Sequence, residues 1–355
     1  MPLYLTEAEV DQLITMQDAI ESVEAGFEAM SNGEAANLPR QRLRLPAGVF
    51  NIMSAAIPAM GVMGLKAYGV VKGRPTFHIQ LSSTETGELL AIIEASRLGQ
   101  LRTGAASGVA TKYMARDVPS IIGVIGSGNQ AQTQLEAVCR VHQVSGVKVF
   151  SRTADRRESF AEEMSARVGI QVSSAETAES CVSESDILLV ITGASEPVLN
   201  GEWIPSGTHI NAAGANSPNR RELDVGAVHR SNVIVVDDID QARIECGDIN
   251  HAVDGGFVRW EQVRALSDVI GGTTPGRNSD DDITRVAGRR SGRHLSGGSR
   301  LSTCYRTKQR RKHLTALHIH HGPLNFGHRL SEIETTISSY VSCLYDMFVG
   351  CREAC

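Results

Sequence analysis

The sequence predicts an α/β protein: a Rossmann-type parallel sheet domain joined to an α+β domain. Three observations carry this. From residue 121 onward apolar strands alternate with helical patterns, a glycine-rich turn closes the first of those strands, and the residues before 119 have a different rhythm of short strands bracketed by helices. A chain of 355 residues with 41% hydrophobic and 21% charged side chains buries enough surface to fold without disulfides or a structural metal. No apolar run approaches the roughly 20 residues that span a bilayer. Residues 1–9 lack the basic stretch and apolar core of a secretory signal, so the expectation is a cytoplasmic protein whose seven cysteines are thiols.

Thr6 followed by Glu9 makes a capping box, and Val10, Leu13, Ile14, Ala19, Ile20, Val23, Phe27 and Met30 recur at helical spacing, predicting an N-terminal helical segment. Over 43–94 short apolar or alternating runs, among them 63–71 and 76–81, are separated by Gly and Pro and predict an antiparallel sheet. Residues 96–116, rich in Ala and Gly with Ser96 as the cap, predict a closely packed helix. These make up the first expected domain, 1–118. Beyond Pro119 the order is strand 121–125, helix 130–141, strand 147–150, helix 154–168, then strands 187–191, 209–213 and 233–236. That is a parallel sheet with covering helices, the second expected domain, 119–284.

The loop Gly126-Ser127-Gly128-Asn129-Gln130-Ala131 leaves the first of these strands and opens a helix. In this setting Gly126 makes the tight turn, Gly128 admits a pyrophosphate against the backbone, and Ala131 lets helix meet strand. The helix N-terminus offers amide donors and a positive dipole end to the phosphates. At the end of the next strand, Phe150-Ser151-Arg152-Thr153 contains no carboxylate to accept from a ribose 2'-hydroxyl, whereas hydroxyls and an arginine suit a 2'-phosphate. The expected cofactor is NADP(H) in preference to NAD(H). The plainer reading makes Arg152 and Arg156 a solvated helix start. The expected cofactor contacts are Thr103, Gly126, Gly128, Asn129, Gln130, Ala131, Ser151, Arg152, Thr153, Thr192 and Ala213.

Three cations stand out in the first domain. Lys66 lies inside the apolar run Gly64-Leu65-Lys66-Ala67-Tyr68, where a charge costs free energy unless an anion or water compensates it. Its alternative is an edge lysine whose ammonium reaches water. Arg42 precedes Leu43-Arg44-Leu45-Pro46, and Arg102 opens Arg102-Thr103-Gly104-Ala105-Ala106. With Met53-Ser54-Ala55, the dinucleotide loop, and Gly276-Arg277 before Asp282-Ile283-Thr284, these motifs make the chain resemble the ornithine cyclodeaminase and mu-crystallin family, in register over 5–284.

The resemblance implies a homodimer whose first domain holds substrate and dimer contacts, with the nicotinamide in the cleft between domains. It implies that Arg42, Lys66 and Arg102 hold the carboxylate of a small amino or imino acid. Arginine forks grip a planar carboxylate, and a lysine beside them adds charge and relays a proton. Members of the family cyclise ornithine with loss of ammonia, reduce cyclic ketimines, or oxidise alanine and similar amino acids. In Gly214-Ala215-Asn216-Ser217-Pro218, Asn216 stands where true ornithine cyclodeaminases have an aspartate. Asparagine supplies neither the full charge nor the base, so imine reduction or its reverse ranks above cyclodeamination. Asn216 can also be read as a cap on the next turn. A weakly active NADPH-binding protein of the crystallin kind is the other alternative.

Residues 285–355 break the pattern. They carry 12 Lys or Arg against 4 Asp or Glu, where the first 284 carry 23 against 36, and they hold six of the eleven histidines and four of the seven cysteines. Neither set has the paired spacing of a zinc site, so no metal is expected, and no nucleic-acid or membrane partner is assigned. Read one nucleotide later, Arg293-His294-Leu295-Ser296-Gly297-Gly298-Ser299 can encode Asp-Ile-Ser-Ala-Ala-Ala, like the helix that ends other members of the family. A shifted reading frame, with a disordered basic tail and activity left open, is the expectation for this segment.

Overall fold

The computed structural model describes residues 2–215 and 217–287, so the expectations for Asn216 and for 288–355 lie outside the described residues. The chain opens with β1 (Leu3–Leu5), α1 (Glu7–Leu13) and α2 (Met16–Ser31). The Thr6–Glu9 capping box forms as predicted, but a second box, Thr15 with Asp18, divides the expected single helical segment in two. Each box satisfies the leading amides of its own helix, so the chain turns between them without leaving donors unpaired.

Strands β2 (Ala36–Leu45), β3 (Gly48–Ile57), β4 (Val62–Val71), β5 (Arg74–Ser83) and β6 (Leu89–Glu94) follow as successive antiparallel neighbours. β1 pairs parallel with β6, giving the order β1-β6-β5-β4-β3-β2. Helix α3 (Ser96–Met114) comes next. Ser96 is not its cap: the N-cap is Ala95, and the Glu7 carboxylate accepts from the Ser96 and Arg97 amides at 2.6 and 2.9 Å. A carboxylate reaching over from α1 satisfies two donors and complements the dipole, which a single hydroxyl does less well.

The second sheet is built from β7 (Ser120–Ile125), α4 (Asn129–Val141), β8 (Val144–Phe150), α5 (Ala154–Val168), β9 (Val172–Ser174), α6 (Ala178–Ser183), β10 (Ile187–Val190), β11 (His209–Ala212), α7 (Val225–His229), β12 (Val233–Val236), α8 (Ile239–Glu245), α9 (Gly247–Asp254), β13 (Val263–Ala265), α10 (Leu266–Ile270) and β14 (Thr284–Ala287). All eight strands are parallel, in the order β13-β12-β14-β11-β10-β7-β8-β9. The expected end of the ordered body at Thr284 is corrected by β14. Arg285, Val286 and Ala287 continue a strand between β11 and β12, and Arg285 is fully buried against Asp248 at 3.1 Å. The sequence pattern hid this because an arginine in a four-residue strand reads as the start of the basic tail.

Two features tie the sheets together. One apolar cluster runs from Ile20, Val23 and Phe27 of α2 to Leu266 and Val269 of α10 and Val235 and Val286 of the second sheet. Glycines bring α3 onto α4: a Cβ at 104 would strike the Thr133 backbone, and one at 108 would stand 3.1 Å from the Ala137 Cβ. The small-residue helix expected from the sequence is therefore the seam between the two units. Arg277 pins the loop before β14 by donating to the carbonyls of Met114, Gly207 and Asp282 at 3.0, 3.1 and 2.6 Å.

Candidate functional site

Strand order reverses about β7, which has β8 on one side and β10 on the other, so a crevice opens beyond the carboxyl ends of these strands. The loop at 126–131 sits there. Gly126 has φ of 114°, and a Cβ on it would strike the Ile191 carbonyl oxygen after β10. Gly128 is the N-cap of α4, which no side-chain hydrogen bond caps, and Ala131 is fully buried. A strained turn that excludes side chains, ending in the N-terminus of a 13-residue helix, fits a pair of phosphates. Asn129 is exposed and Gln130 buried at this turn.

The expected residues at the end of β8 lie together beside this crevice. Ser127 donates to the Ser151 hydroxyl at 3.0 Å, and Thr153 is the N-cap of α5. Arg152 and Arg156 are exposed and form no ion pair among the described residues. Arg157, not among the expected residues, lies beside them, 5.9 Å over the Phe150 ring and donating to Ser174 Oγ at 2.9 Å and to the Ser151 carbonyl at 3.2 Å. On the other side Thr192 and Ala213 lie in the turns just after β10 and β11, and one carboxylate organises both turns. Glu222 accepts from the Thr192 and Gly214 amides and is itself completely buried. Burial, and then the neighbouring Asp248, push its carboxyl up to about 8.

Thr103, on α3, is buried and donates to the Gly99 carbonyl at 2.8 Å. A small cavity is lined by Arg102, Thr103, Ser107, Ala213 and Asp237, so α3 carries Arg102 to the carboxyl ends of β11 and β12. Lys66 lies on β4, a central strand between β3 and β5, and is 4% exposed, which removes the edge-lysine reading. Its ammonium stands 5.9 Å from the Tyr68 ring centre and 5.7 Å from that of Phe77, and those rings stack at 5.2 Å.

Tyr68 is the common neighbour of the cations. Burial pushes its hydroxyl up, while Arg40, Arg42 and Arg102 pull it down and Glu245 adds to the rise. Arg40 lies 5.8 Å over its ring. Arg42 is more open, with Nη2 3.1 Å from Glu245 Oε1 and Nε 3.2 Å from Asn51 Oδ1. The structure thus gathers all three expected cations and adds Arg40, Tyr68 and Glu245. Arg40 and Tyr68 had a local signal, since each lies two residues from an expected site residue on a strand. Glu245 had none, because it arrives from α8.

The sequence model of the ornithine cyclodeaminase/mu-crystallin family matches residues 2–286. The chain belongs to that family. Alanine dehydrogenase of Archaeoglobus fulgidus is 39% identical over 293 residues, covering 79% of this chain and 88% of its own. The structure of Thermococcus litoralis Δ1-pyrroline-2-carboxylate reductase with NADH and L-proline aligns with a TM-score of 0.77 at 35% identity, covering 81% of this chain and 92% of that one. Iminosuccinate reductase of Paracoccus denitrificans with NAD+ aligns at 0.76 with 28% identity, covering 82% and 91%. This family member is accordingly an oxidoreductase with a nicotinamide cofactor. Among the described residues no group of three or more His, Cys, Asp or Glu side chains is placed to hold a metal, and no helix is long and apolar enough to cross a membrane.

Proposed function

We infer that the chain interconverts a small imino acid and the corresponding amino acid. In the reductive direction a hydride reaches the imine carbon and a proton the nitrogen. A nicotinamide held at the glycine turn after β7 would supply or take the hydride. The protein's part is to hold the substrate carboxylate through Arg42, Lys66 and Arg102, and to relay the proton at Lys66 Nζ. The observation that carries this is Lys66, buried on a central strand beside Tyr68 and Phe77, in the same neighbourhood as Arg102, which borders the cavity with Thr103 and Ala213. Aromatic walls exclude water and strengthen each charge–charge contact.

The absence of a carboxylate at the end of β8, with Ser151, Arg152 and Arg157 there instead, supports NADPH over NADH. A homodimer through the antiparallel sheet is supported by Leu38, Leu43, Leu45, Met63 and Val71, exposed on β2 and β4, and by the archaeal alanine dehydrogenase solved as a dimer. Free thiols at Cys139, Cys181 and Cys246 suit the cytoplasm. Ring closure of ornithine ranks below, because Asn216 lacks the charge it needs.

Oxidation of NADPH and NADH is to be followed with Δ1-pyrroline-2-carboxylate, Δ1-piperideine-2-carboxylate, and pyruvate or oxaloacetate with ammonia. Turnover with at least one is expected. Ammonia release from ornithine with none of these turned over would replace this reading by cyclodeamination. Lys66→Ala should lower kcat/KM by roughly 10²- to 10⁴-fold while NADPH fluorescence titrations stay as in the wild type. Retained turnover would remove Lys66 from the site.

A further inference from the structure

Glu245 forms ion pairs with two arginines of the cation cluster about Tyr68, and it reaches there from the other sheet's helices. It ends α8, yet Oε1 lies 3.0 Å from Arg40 Nη1 and 3.1 Å from Arg42 Nη2, both on β2, and Oε2 accepts from the same Arg40 nitrogen at 3.1 Å. Glu245 and Arg40 are almost wholly buried, with side chains 9% and 8% exposed, while Arg42 remains 42% exposed. With Nη2 on Glu245 and Nε on Asn51, Arg42 already has the Nε–Nη2 edge of its fork committed. A planar carboxylate needs such an edge for a bidentate grip.

We propose that Glu245 is an internal placeholder for the substrate carboxylate: it occupies the Arg40–Arg42 pair in the ligand-free protein and yields Arg42 when an imino acid binds. This rests on the carboxylate reading of Arg42, Lys66 and Arg102 given above. The exchange replaces one carboxylate by another, so the arginine never stands desolvated and unpaired, a state that is costly for a half-buried cation. It also sets substrate affinity. Every molecule bound must displace an anion already tethered in place, which weakens binding and hastens product release. And because Glu245 belongs to α8 while the arginines belong to β2, the exchange loosens a link between the two sheets.

The test uses pyrrole-2-carboxylate, a planar carboxylate that is not reduced, titrated calorimetrically into the full-length protein saturated with NADPH. Glu245→Gln keeps the size and removes the charge; it should bind this probe about 3- to 10-fold more tightly than the wild type, with Glu245→Asp returning toward the wild-type value. Equal or weaker binding by Glu245→Gln overturns the proposal. Should that variant fold poorly, hydrogen exchange on the wild type decides: amides of α8 are expected to exchange faster when the probe saturates the site, and unchanged or slower exchange overturns it. Arg102→Gln serves as the reference. If it binds the probe as tightly as the wild type, the carboxylate reading falls and this proposal with it, whereas weakened binding there with no gain in Glu245→Gln defeats the placeholder alone.

Discussion

At position 126 a methyl group would meet the Ile191 carbonyl oxygen, on a backbone whose φ of 114° already disfavours an L side chain. Gly126→Ala must therefore move the turn away from β10, and the amides at the start of α4 move with it. The expected result is a dissociation constant for NADPH raised at least about tenfold, roughly 1.4 kcal/mol, with the circular dichroism spectrum retained. Titration of NADPH fluorescence checks it, and unaltered affinity would detach the loop from the cofactor. This turn was legible in the sequence because strand, glycines and helix are contiguous. Lys66 was legible for a different reason, since a lone charge in an apolar run is visible without knowing what faces it. Its aromatic walls were only half visible: Tyr68 is two residues away, but Phe77 comes from β5 across the strand register.

Elements tell a similar story with different gaps. Helix α3 was expected from its composition and found at 96–114, yet its cap belongs to another element, Glu7 of α1. Glu7→Ala leaves the Ser96 and Arg97 amides without that acceptor. It should lower stability by about 1 kcal/mol, read as a reduced urea midpoint at unchanged m, and Glu7→Gln should recover part of it. An unchanged midpoint would mean that water caps the helix as well as the carboxylate does. Short elements escaped the sequence: β9 and β13 have three residues each, too few for a period to register, and β14 hides behind Arg285. The long helices α4 and α5 were placed to within a residue or two because each repeats its pattern several times, and strands β7 and β12 because each is an unbroken apolar run.

Across the whole molecule, two fully buried titratable groups give stability opposite slopes with pH. His209 on β11 shares Nδ1 with Thr284 Oγ1 at 2.8 Å, and burial, then the charge of Arg277, pull it down to about 3. The unfolded chain takes its proton near pH 6.5 and the native state does not, so stability from His209 is complete above about pH 6.5 and lost as pH falls toward about 3. Glu222 is raised from 4.5 to about 8, so its contribution is complete below about pH 4.5 and lost as pH rises through about 8. The two partly cancel between about pH 4.5 and 6.5, and a decline toward pH 8 remains. Urea midpoints measured across this range should show that shape: Glu222→Gln should abolish the alkaline decline, and His209→Gln should extend the decline down to about pH 4.5. A wild-type midpoint that rises from pH 6.5 to 8 contradicts the assignment of Glu222.

By itself the sequence determined the fold class, the glycine turn after β7 and the unusual placement of Lys66, because each is written in neighbouring residues whose period, glycine content or isolated charge has a direct physical consequence. Tertiary structure alone decided what the cations face. Arg40 and Arg42 meet Glu245 from more than two hundred positions away, Glu222 ties together the turns after β10 and β11, and Arg157 donates to the Ser151 carbonyl at the end of β8. Charges act through distance in space and through the dielectric around them, and both are set by how the sheets pack.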